Sequence, residues 1–271
     1  MHAAPSHPSG REPLFNIPFV VTASVLALVA VHGFRSLALS DVSDFEWLLE
    51  LAVVPARWTA AWDAAQIGAI IESAGAGFSG REAAAREALA RYVLQEGAAK
   101  PWTGLSYALL HGSWTHVLMN GVWLAAFGTP VARRCGGTRF LMIGALSALA
   151  GALAHVAIHP LSATPMIGAS AAVSGWMAAA ARFVFVRSNP GPFGRRIGEA
   201  HEARGQSVIE LLRNRQAAIF LAVWFGTNLF FGLAATPLGI VDSSVAWEAH
   251  IGGFLAGLIL FPLFDRHRKQ A

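Results

Sequence analysis

The sequence predicts an all-α polytopic membrane protein: six transmembrane helices with one large extracytoplasmic loop between the first two. Three observations carry this reading. Of the 271 residues, 55% are hydrophobic and only 13% charged, and mean hydropathy is +0.49; a soluble domain carries about 25% charge. The charge-free runs are long enough to cross a bilayer, which takes ~20 helical residues. The basic residues fall between those runs and not in one patch. The net charge of +4 therefore reads as membrane topology, with no nucleic-acid partner expected. The length suits one bundle, and the lone Cys135 excludes an internal disulfide and a cysteine-rich metal site.

In chain order, residues 1–13 are polar, with Pro5, Pro8 and Pro13, and form an N-terminal tail. Residues 14–39 hold the first span. Its apolar stretch exceeds the ~7–15 residues of a signal-peptide core, so it is expected to be retained. Residues 40–104 form the loop, with nine acidic and five basic residues between Ser40 and Lys100. Trp47, Trp58 and Trp62 punctuate it as interfacial aromatics do. Glu82–Arg86 and Glu87–Arg91 are i,i+4 pairs with the acid first, which predicts a surface helix over 81–95. Gly75, Gly77 and Gly80 mark the turn before it.

The other spans are expected at 105–127, 140–159, 167–186, 216–235 and 246–264, which makes 105–264 a five-helix unit. An arginine-rich loop, 187–215, precedes the fifth span, and residues 265–271 are a second tail. Six spans put both termini on one side. That side holds 14 of the 20 Lys and Arg, and the other holds 11 of the 16 acids, so both termini are expected in the cytoplasm. The inner membrane of a bacterium is the expected location.

Chemistry centres on Gly168-Ala169-Ser170-Ala171-Ala172-Val173-Ser174-Gly175, in a run from Phe140 to Ala181 without Asp, Glu, Lys or Arg. Alone, such a serine reads as helix packing. The rest of the chain changes that. The fourth and sixth spans run the same way, and Ser170 and His250 each sit one turn from the start of theirs. Ala246, His250, Gly253 and Gly257 form one stripe, and Ser170, Ser174 and Ala178 a matching one. Two small stripes allow the approach that a serine–histidine hydrogen bond of about 2.6–3.2 Å requires. His250 can then take the hydroxyl proton as general base; the plainer reading is a helix-end histidine bonded to a carbonyl. Glu248 lies on the opposite side of its helix and Asp242 in the preceding loop, so a dyad is expected and not a triad. On the second span, His116 and Asn120 are i,i+4 donors. With the Ser170 backbone N–H they could hold an oxyanion, or they could simply bridge helices.

In this order, Trp102, His116-x-x-x-Asn120, Gly168-Ala169-Ser170 and Ala249-His250-Ile251-Gly252-Gly253 resemble the rhomboid intramembrane serine proteases, over about residues 101–264. The resemblance implies a six-helix rhomboid-like bundle with Ser170 as nucleophile and His250 as base. It implies an oxyanion site helped by His116 and Asn120, and His111 bracing the outer loop. Substrates would be transmembrane proteins met within the lipid bilayer. Three positions depart from the family pattern. Ala171 replaces a glycine, Ser174 replaces an aromatic that packs on the base, and Thr103 replaces the arginine of a Trp-Arg pair. These bear on rate and specificity.

Two rival readings remain. One is a proteolytically silent rhomboid-like protein that binds membrane helices. The other is a metal site built on His155 and His159 with His111 and His116 nearby, since imidazoles suit zinc, copper or iron. No carboxylate or thiolate is expected to join those imidazoles within the spans, so neither a metal nor a cofactor is expected. The aromatics of the fifth span, Phe220, Trp224, Phe225, Phe230 and Phe231, read as packing or lipid-facing residues, with a movable gate as the sharper alternative.

Overall fold

The computed structural model of the chain describes residues 17–95, 99–186, 204–234 and 245–265. The tails 1–13 and 266–271, the stretch 187–203 of the arginine-rich loop and Asp242 lie outside the described residues. Helix α1 (Phe19–Ala38) is followed by α2 (Asp41–Leu51), α3 (Pro55–Trp62), α4 (Ile67–Gly75) and α5 (Gly80–Gln95). The predicted surface helix is therefore α5. It carries the Glu82–Arg86 contact at 3.2 Å and the Glu87–Arg91 contact at 3.8 Å, and positive φ at Gly77 and Gly80 turns the chain into it. The loop has a small core of Leu49, Val54, Ala56, Ile70 and Val93. It is also sewn to the rest of the chain. Val53 and Met166 form an antiparallel bridge, with N–O distances of 3.2 and 2.8 Å. Ala56 N donates to Ser162 O at 2.9 Å.

The expected second span is not one helix from 105. A short turn, α6 (Thr103–Ser106), and a 3₁₀ turn at Tyr107–Leu109 lead to extended backbone at Leu110. Helix α7 (Trp114–Trp123) starts only after Ser113, whose hydroxyl accepts from His116 N at 3.1 Å. An apolar run gives no hint of where its first turn forms; the capping serine does. Helix α7 continues through a π-helical turn at Leu124–Gly128 into α8 (Thr129–Cys135). Pro130 has no N–H for the carbonyl four residues back, and the widened turn before it absorbs the missing bond.

Three helices pack closely: α9 (Gly137–Ile158), α10 (Ser170–Val184) and α13 (Trp247–Phe264). Between α10 and α13 lie α11 (Val208–Arg213) and α12 (Arg215–Leu229), the latter ending in a π-helical turn at Phe230–Ala234. A Cβ on Gly144 would meet the Trp176 ring at 2.2 Å, one on Gly175 the Ser147 hydroxyl at 1.9 Å, and one on Gly151 the Ala171 Cβ at 2.5 Å. The rising order on α9 (144, 147, 151) against the falling order on α10 (176, 175, 171) makes the pair antiparallel. A Cβ on Gly253 would lie 2.1 Å from Ala171 O, and one on Gly257 2.1 Å from Gly175 O. Both advance four residues together, so α10 and α13 are parallel, backbone on backbone. Helices α1, α9, α13 and the run Arg215–Ala234 are long and apolar enough to cross a membrane.

At the Val184 end of α10, Arg134 makes two hydrogen bonds to Asp265, at 2.9 and 2.8 Å. Its guanidinium is fully buried and lies 4.7 Å from the Phe183 ring centre. This pair ties α8 to the last turn of α13.

Candidate active site

The register of α10 on α13 decides what meets at the opposite end. With Gly253 on Ala171 and Gly257 on Gly175, the turn of α13 bearing His250 is level with Gly168 and Ser170. Ser170 is the first residue of α10, so the opening N–H groups of that helix have no intrahelical partner and carry its positive dipole end. The helix starts three residues later than the predicted 167. Gly168, at φ 121°, holds backbone that L residues avoid. It also makes room: a Cβ there would stand 2.8 Å from His116 Nε2 and 3.8 Å from Ser170 Oγ. The predicted nucleophile and the predicted oxyanion imidazole thus border the same small space, and Gly168 N is anchored on Tyr107 O at 3.0 Å.

His250 is half-buried. Its Nδ1–H donates to Asn228 Oδ1 on α12. The Asn228 amide donates in turn to Trp224 O at 2.8 Å, which leaves its oxygen as the acceptor. This arrangement puts the imidazole proton on Nδ1 and the free lone pair on Nε2. Among the described residues no hydrogen bond joins Ser170 Oγ to His250; catalytic contacts of this kind are often long before substrate binds. Asn120 is buried and spends one N–H on His116 O at 3.1 Å, which leaves its second N–H. His111 contributes its carbonyl, which accepts from Arg35 Nη1 at 3.1 Å and lies 3.1 Å from His32 Nδ1. That contact braces α1 more than the outer loop. The imidazoles grouped in the metal reading separate. The His111 and His116 rings meet edge to face at 4.8 Å, while His155 and His159 turn to Glu248.

The family model for the rhomboid domain matches residues 98–266. The chain belongs to the rhomboid family. It is similar to the rhomboid protease GlpG of Pectobacterium atrosepticum, with 28% identity over 168 residues that cover 62% of this chain and 50% of that protein. The chain spans about half the length of this curated relative. Rhomboid membership and its long apolar helices make it an integral membrane protein.

In this rhomboid, the three positions that depart from the expected pattern each have a local partner. The Ala171 methyl faces Gly151 of α9, so the extra carbon is absorbed between helices. Ser174 does not support His250; its hydroxyl donates back to Ser170 O at 2.8 Å, and Asn228 holds the imidazole from another helix. Beside Thr103, the Trp102 indole donates to Glu50 O at 3.1 Å and Lys100 pairs with Glu50, so other groups anchor this end of the loop. Asn228 is the residue that sequence reasoning missed. The signal was an amide in the apolar fifth span.

Proposed function

We propose that this rhomboid is an intramembrane serine endopeptidase that cuts membrane proteins within or near their transmembrane segments. The observation that carries the reading is the parallel glycine crossing of α10 and α13, which sets the start of the serine helix level with His250. Ser170 Oγ attacks the substrate carbonyl carbon while its proton passes to His250 Nε2. The tetrahedral oxyanion is held by His116, the remaining Asn120 N–H and the unpartnered N–H groups at the start of α10. Collapse of the tetrahedron breaks the C–N bond, and the amine leaves with the proton from His250. Water, deprotonated by His250, then hydrolyses the acyl-enzyme and frees Ser170. Asn228 is a positioning residue: it fixes the ring and tautomer without touching substrate. An intact helix hides its peptide groups in hydrogen bonds, so the substrate segment must unwind on its way to Ser170. The expected setting is a bacterial inner membrane with both termini cytoplasmic.

The test compares cleavage of a transmembrane reporter in lipid vesicles by wild type, Ser170→Ala and His250→Ala, together with labelling by a serine-reactive fluorophosphonate. Wild-type cleavage and labelling, both lost in Ser170→Ala, are the expected result. A folded wild type that neither cleaves nor labels would move the protein to the non-proteolytic helix binders of its family.

A further inference from the structure

Two residues before His250, on the other side of α13, a second cluster stands outside the proposed peptidase machinery. His155 lies in the last turn of α9 and His159 just past it, and the i,i+4 spacing puts both imidazoles on one face. The antiparallel α13 brings Glu248 against them from its first turn. His155 Nδ1 contacts Glu248 Oε1, and His159 Nε2 lies 3.3 Å from the same oxygen. One donor atom from each residue falls within 4.8 Å of the other two. Donor atoms of a tetrahedral ion with bonds of about 2.0 Å stand roughly 3.3 Å apart, so modest side-chain adjustment turns this cluster into a coordination shell.

The surroundings favour a cation there. Glu248 is 2% exposed, and among the described residues its ion-pair partners are these two imidazoles, with no Lys or Arg on it. A buried carboxylate is costly without a counter-charge, and a divalent ion would supply the largest local charge in such a site. His159 is 45% exposed and lines a cavity of about 540 Å³ together with Phe78, Arg86 and Thr164, which supplies a route from solvent. Two imidazoles and one carboxylate, with no thiolate, suit zinc over softer ions and over calcium or magnesium.

We propose that His155, His159 and Glu248 form a zinc site joining the end of α9 to the start of α13, with water completing the shell. On binding, His155 gives up its Nδ1 proton to solvent while Nε2 takes up or retains one, so the ring stays a neutral imidazole and Nδ1 coordinates the ion. The ion clamps the turn that precedes His250 while His250 itself stays on Asn228. The site therefore adjusts the stiffness of the base-bearing turn and takes no part in peptide cleavage.

The test uses tag-free full-length protein in detergent, stripped with chelator and carrying Ser170→Ala, so that the readout does not depend on peptidase activity. Equilibrium dialysis against Zn²⁺ should give one ion per chain, and Co²⁺ should give the visible absorption of a tetrahedral site. The ion should raise the thermal unfolding midpoint. His159→Ala, at an exposed position, should keep the metal-free midpoint and weaken binding by roughly 100-fold or more. Glu248→Gln, which preserves the side-chain shape, should do the same. No stoichiometric ion in the parent protein would overturn the proposal. Undiminished binding in both variants would do so as well, because it would place the ion elsewhere.

Discussion

Along one flank of α13, Gly253 and Gly257 lay backbone on the backbone of α10, so that even one methyl would stand 2.1 Å from a carbonyl oxygen. Along the other flank, α12 is met through rings. Phe254 stacks on Trp224 at 4.7 Å and meets Phe225 at 5.3 Å. Ring contacts can slide and re-pack; backbone contacts cannot. In lipid the hydrophobic effect does not hold helices together, and packing carries the association. The first flank is therefore rigid and the second adjustable. Of its aromatics, Phe220, Trp224 and Phe225 pack against other rings, and Phe230 is 41% exposed. Among the described residues, the Asn228–His250 hydrogen bond crosses the adjustable flank. The proposed nucleophile rests on the rigid side, and the proposed base is oriented from the movable one.

Breaking the rigid flank should have the largest effect. Gly257→Ala should lower stability by about 3 kcal/mol, the upper end of core overpacking, because the clash is with backbone and no rotamer relieves it. The midpoint of unfolding in SDS measures this, and reporter cleavage should fall with it. An unchanged midpoint would mean that the crossing is looser than a 2.1 Å approach implies.

Asn228→Ala tests the bond across the flanks. It should lower kcat about 10- to 100-fold, part of the roughly 10²–10⁴ that a positioned base contributes, with little change in KM or in fluorophosphonate access to Ser170. Asn228→Asp, which restores an acceptor for Nδ1–H, should recover part of the rate. A merely structural asparagine would instead lower the unfolding midpoint without splitting kcat from KM.

Trp224→Ala loosens the adjustable flank. It should cost about 1 kcal/mol, the scale of one aromatic pair, and speed cleavage of a stable transmembrane substrate a few-fold by easing sideways access. A slower rate on a well-folded variant would exclude α12 as a gate. Gly226→Ala, also on α12, should do least. Its Cβ would meet nothing within 4 Å, so stability should stay within about 0.5 kcal/mol or rise slightly through helix propensity.

Much of this was legible in the residues. The surface helix and the glycine stripe of α13 follow from period and charge, both local quantities, but the matching stripe expected on α10 at Ser170, Ser174 and Ala178 is shifted by one residue: Ala171 and Gly175 meet Gly253 and Gly257. The interruption before α7 was less legible, because hydropathy is blind to caps and Ser113 decides where the helix begins. The surroundings of Ala171 and His250 were not legible, because Gly151 and Asn228 lie on other helices at no fixed sequence distance.

By itself the sequence determined that the chain is built of apolar helices, which residues share a face, and which side chains could do acid–base chemistry. Only the tertiary structure decided that Asn228 and not a carboxylate holds His250, and that Glu248 joins His155 and His159. A helical period states the direction in which a side chain points but not which helix waits there. That is set by where glycine lets backbones touch, a property of pairs of helices that no single stretch contains.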